Sequence, residues 1–148
     1  MATLTRPIFG IITAAIQGKK NPVTYAFVCQ QLAAQHQIQV VPIGLGSHLT
    51  KLANLLDRTS DRSGLLIPPL TSVVTRTNGP PGYGVNSVFA AWLRRRPGTS
   101  ASLLRDATAS SGNADPMPHI TTLAQTETRQ FDWLAVPGLI SEEEWRAA

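Results

Sequence analysis

Lys51, Asn54 and Arg58 recur at intervals of three and four residues, in a stretch whose aliphatic positions Leu49, Leu52, Ala53 and Leu56 follow the same period. That pattern predicts a helix with its aliphatic side turned inward and these polar residues, with His48, on the opposite face. The chemistry open to such a face is recognition of anions and base edges. Lysine and arginine neutralise phosphates, while asparagine and arginine pair bidentately with adenine and guanine. The same residues also describe the plain solvated side of an amphipathic helix.

More cations follow along the chain. Arg62 falls in a polar stretch, residues 59–64, read as a loop. Arg76 and Asn78 belong to a predicted β-hairpin, and Arg94, Arg95 and Arg96 close a short helical stretch before Pro97. The distribution of charge is lopsided. Residues 1–105 carry eleven Lys and Arg against only Asp57 and Asp61, a net of +9. Residues 106–148 carry two Arg against seven acidic residues, a net of −5. A strongly basic unit attached to an acidic segment is the asymmetry of a polyanion binder with an acidic appendage, which can also fold back as an internal partner.

The elements that must position these residues can be read from the apolar periods. A first helix is predicted over 6–17, where Ile8, Ile11, Ile12, Ala15 and Ile16 form one stripe and Gly18 supplies a stop. A second, capped by Asn21 or Thr24, runs to about Gln35. Residues 38–41 read as a short strand or extended connector, ended by Pro42 and a Gly44-Leu45-Gly46 turn. The third helix is predicted from Ser47, as a cap, to Arg58. Residues 65–67 and 70–77 read as β structure, the latter by alternation, with residues 85–89 returning as the second strand around a 78–84 tip rich in glycine and proline. Residues 97–118 form a linker or irregular region. A helix is predicted over 119–134, and Ser141-Glu142-Glu143-Glu144 has the spacing of a capping box. The expected organisation is a basic domain over 1–96, a linker over 97–118 and an acidic helical extension over 119–148.

Other chemistries find no foothold. The lone Cys29 excludes an internal disulfide and a cysteine-based metal site, and it reads as a buried small hydrophobe. His36, His48 and His119 are not spaced as ligands, and neither a Walker loop nor a Gly-x-Ser-x-Gly elbow is present. No enzyme, cofactor or metal site is expected. The apolar runs are shorter than the roughly 20 residues of a membrane span, and the first residues lack the order of a secretory signal, so the expected location is cytoplasmic.

Val23-Thr24-Tyr25 opening a helix, then Pro68-Pro69-Leu70-Thr71-Ser72-Val73-Val74 and the glycine-rich tip, resembles the DNA-binding domain of alkyltransferase-like proteins. The likeness spans residues 6–90 and implies an α+β, mainly helical winged helix-turn-helix-like fold that binds DNA. Alkyltransferases carry Pro-Cys-His-Arg where this chain reads Pro69-Leu70-Thr71-Ser72, so alkyl transfer is not implied. The expected function is non-enzymatic nucleic-acid binding through Lys51, Asn54, Arg58, Arg62, Arg76, Asn78 and Arg94–Arg96. The competing expectation is a protein-interaction subunit that meets its partner through the basic surface and through Phe131, Trp133 and Trp145.

Overall fold

The computed structural model describes residues 4–75, 91–98 and 118–148, with the backbone alone for 118–121. Helix α1 (Thr5–Gln17) lies within a residue of its expected bounds, and Ile8 and Ile12 on its inner stripe are completely enclosed. A two-residue strand β1 (Val23–Thr24) leads into α2 (Tyr25–His36). The Thr24 hydroxyl caps α2 by accepting the Phe27 N–H at 3.1 Å, satisfying one of the donors left orphaned in a first turn.

Helix α3 (Pro42–Ser63) is longer than its sequence pattern at both ends. Pro42 sits where a missing N–H costs nothing and its fixed φ already suits a helix. Gly44 and Gly46 are then carried inside the first turns, because the fully enclosed Leu45 between them anchors this end in the core. Ser47 is therefore not the cap; its hydroxyl donates back to the Gly44 carbonyl at 3.3 Å. At the other end Thr59 and Ser60, read as loop residues, are enclosed. The Thr59 hydroxyl donates to the Leu55 carbonyl at 2.8 Å. The Ser60 hydroxyl donates to the Leu65 carbonyl at 2.7 Å and accepts the Ile67 N–H at 3.2 Å. Gly64 ends the helix at φ +78°, a left-handed conformation that strains any residue with a Cβ. Ser60 thus turns the chain back onto the core. Ser60→Ala is expected to cost about 1–3 kcal/mol in denaturant unfolding, because it leaves two inward-facing backbone groups without a partner.

The strand expected over 70–77 is corrected. A 3-10 turn (Leu70–Val73) precedes a short strand β2 (Val74–Thr75). β2 pairs in parallel with β1, Val23 opposite Val74 and Thr24 opposite Thr75. A parallel pair needs a long crossover, supplied here by α2 and α3. The hairpin tip and return strand expected over 78–89 lie outside the described residues. Among the described residues the fold is α+β in the broad sense, mainly helical with one small parallel sheet.

Helix α4 (Pro118–Gln130) stops four residues before its expected end and gives way to 3-10 turns at Trp133–Ala135 and Pro137–Leu139. Helix α5 (Glu142–Ala147) opens with the expected capping box: the Ser141 hydroxyl accepts the Glu144 N–H at 3.1 Å, and the Glu144 carboxylate accepts the Ser141 N–H at 3.0 Å. Ser141→Ala should cost about 1 kcal/mol, read as a lowered denaturation midpoint.

This C-terminal segment does not hang from the body as an appendage. Trp133, Val136, Ile140 and Trp145 join α1, α2 and α3 in one apolar cluster. Phe9 of α1 meets both indoles, at 6.1 Å edge-on to Trp133 and at 5.5 Å to Trp145. On the other side α4 docks against the 3-10 turn. The enclosed Thr128 hydroxyl donates to the Pro69 carbonyl at 3.1 Å and lies 3.3 Å from the Ser72 hydroxyl.

Candidate nucleic-acid interface

Lys51, Asn54 and Arg58 are exposed on α3, while Leu49, Leu52, Ala53 and Leu56 are buried behind them. Seven residues separate Lys51 from Arg58, which places them about 20° apart around the helix and about 10 Å apart along it. Neither cation has an ion-pair partner among the described residues. Residues 1–56 contain no Asp or Glu at all, so the N-terminal half of α3 has no carboxylate of its own. His48 is half-buried beside Lys51, and burial and then the lysine hold its pKa below the ordinary histidine value.

The remaining expected cations divide differently. Arg62 donates to the Leu139 carbonyl at 2.7 Å and to Glu144 at 3.1 Å. Arg95 is held by Asp57 at 2.5 Å and lies 3.8 Å from Asp61, which fastens the helical turn at 91–95 to α3. Arg96 pairs with Glu127 at 2.8 Å and approaches the Trp92 ring. Arg6 pairs with Glu142 and lies over the Trp145 ring. Glu127, Glu142 and Glu144 all come from the acidic segment, so that segment does fold back onto the basic part. Arg94 is exposed and without an ion pair among the described residues. Arg76 and Asn78 lie outside the described residues.

Glu144 is fixed from several sides. The Ser141 backbone N–H, helped by the Ser141 hydroxyl and Arg62, holds its carboxyl below the ordinary glutamate pKa. A carboxyl whose pKa falls on folding stabilises the fold above its unfolded pKa, and this contribution disappears as pH drops through the lowered value. Acid unfolding of the native chain should therefore retain a component that Glu144→Gln removes, visible as a flatter pH dependence of the melting temperature on the acidic side.

Sequence reasoning missed one exposed apolar contributor. Extending the helical register back to Pro42 puts Ile43, 93% exposed, about 20° from Asn54 on the same face. Val41, 63% exposed, precedes it, and beside them opens a cavity of about 400 Å³ lined by Tyr25, Pro42, Ile43 and Gly46. Pro at the first helical position was the signal that could have found this earlier start. Of the residues expected to dock a partner at the C-terminus, in contrast, the two tryptophans are enclosed and Phe131 is half-buried. Trp133 and Trp145 are each 3% exposed, and Phe131 packs edge-on to Trp133 at 4.7 Å.

Among the described residues no group of His, Cys, Asp and Glu is arranged to hold a metal ion, and no helix is long and apolar enough to cross a membrane. Cys29 is buried, and that burial pushes its thiol pKa up, away from the reactive thiolate. No protein-family model matches the chain, and neither the curated proteins nor the solved structures contain a match.

Proposed function

We propose that this chain is a non-enzymatic, winged-helix-like nucleic-acid-binding protein that lays the exposed face of α3 against duplex DNA. The observation that carries the reading is the pair Lys51 and Arg58, without an ion pair among the described residues, flanking Asn54 on one side of a long helix whose opposite side is locked into the core. A major groove about 12 Å wide admits a helix, phosphate contacts supply affinity, and asparagine and arginine reach base edges. Ile43 offers an apolar group at the end of the same face, of the kind that meets a thymine methyl. The order of helix, short strand, two helices and strand is compatible with the winged-helix plan. The connection between α2 and α3 is five residues, 37–41, rather than the eleven that the earlier expected start of α3 implies.

The full chain is the proper reagent, because the segment after residue 118 contributes to the core. Titration of labelled duplex and single-stranded DNA at two salt concentrations tests the proposal. Duplex binding that weakens steeply with salt supports it, and absence of binding at low salt overturns it. Ile43→Ala should leave stability within about 0.5 kcal/mol, since the side chain is exposed. In the same titration it should weaken duplex binding less than loss of either cation.

A further inference from the structure

We infer that Glu144 is an autoinhibitory brake on the α3 face, occupying Arg62 and withholding its guanidinium from phosphate. The inference rests on the nucleic-acid reading above and adds to it a regulation of the same site. Arg62 lies four residues beyond Arg58 and eleven beyond Lys51, which places it about 20° from Lys51 around the helix. It is the next basic position on the stripe and about 6 Å further along it. Its side chain is half exposed, so the location is open to a polyanion. One of its terminal nitrogens is nevertheless committed three times over, to both carboxylate oxygens of Glu144, at 3.3 and 3.1 Å, and to the Leu139 carbonyl at 2.7 Å.

Glu144 is held in place by structure independent of Arg62. The capping box fixes its carboxylate at the start of α5, and the neighbouring Trp145 is anchored in the core against Phe9. The brake is therefore presented by a rigid element and does not depend on a free tail. Exposed ion pairs are weak and screened by salt, so a phosphate can compete for Arg62, but only by displacing a carboxylate already there. The two roles of Glu144 are separable by chemistry. Glutamine at this position keeps the capping box, which accepts Glu or Gln, and removes the charge that faces Arg62.

The test uses full-length wild type, Glu144→Gln, Arg62→Ala and the double variant, with a mixed-sequence duplex titrated between about 50 and 200 mM salt. Releasing one cation to phosphate steepens the dependence of log affinity on log salt by about 0.9. The advantage of Glu144→Gln over wild type should accordingly grow about 3.5-fold from the high to the low salt concentration. Arg62→Ala and the double variant should be indistinguishable, because the released group is gone. An equal gain from Glu144→Gln in the Arg62→Ala background would assign the effect to net charge and overturn the inference. So would identical salt slopes for Glu144→Gln and wild type, a result that leaves the nucleic-acid reading intact. Absence of salt-sensitive binding in all four proteins would overturn both.

Discussion

Trp133→Ala is expected to destabilise the chain by about 3–5 kcal/mol, a large share of the 5–15 kcal/mol that holds a domain of this size together. The indole is 3% exposed and meets Phe9 and Phe131 at edge-on angles. Its Nε1–H donates to the Thr128 carbonyl at 2.8 Å, one of the last-turn carbonyls of α4 that the helix itself leaves without a partner. Alanine would open a cavity between α1 and the C-terminal segment and orphan that carbonyl together. Trp133→Phe keeps most of the volume and loses the hydrogen bond, so it should cost about 1–3 kcal/mol. Denaturant unfolding of the three proteins measures both. A loss below about 1 kcal/mol for Trp133→Ala would mean that the segment after residue 118 contributes little to the common core.

The second large effect concerns binding. Lys51→Ala with Arg58→Ala removes two cations that have no ion-pair partner among the described residues, and both side chains are exposed, so melting should hardly move. Each lost phosphate contact lowers affinity about eightfold at 0.1 M salt relative to 1 M, so the pair should weaken duplex binding about sixty-fold. Arg95→Ala should behave differently. Its charge is already matched by Asp57 and Asp61, and its loss would act by loosening the turn at 91–95 from α3.

What could be read beforehand was whatever a local period or a local cap encodes. The isoleucine stripe locates α1, Thr24 as one of two candidate caps with Asn21 opens α2, and Ser141 with Glu144 three positions on spells out a capping box. The errors arose where tertiary packing overrode local preference. Gly44, Gly46 and Ser47 look like a turn followed by a cap, yet burial of Leu45 draws all three into α3. Thr59 and Ser60 look like loop residues, yet their hydroxyls are bonded within the helix and to the returning chain. β1 is two residues long and exists only through its pairing with β2, 51 residues further along the chain, which no local pattern can signal. The candidate face itself was legible, because exposure on α3 follows from its period. The division of the arginines into paired and unpaired was not, since Arg62 and Glu144 are 82 residues apart. Trp133 and Trp145 read as partner-docking residues, yet composition cannot say whether a large apolar side chain docks a partner or the chain's own helix α1.

The slope of log affinity against log salt, measured for wild type and for Lys51→Ala/Arg58→Ala on the same duplex, tests the central claim most directly. Two phosphate contacts made by the α3 face predict a slope shallower by about 1.8 in the double variant, with the fold unchanged. Parallel lines for the two proteins would place whatever contacts exist elsewhere and contradict the assignment of this helix face.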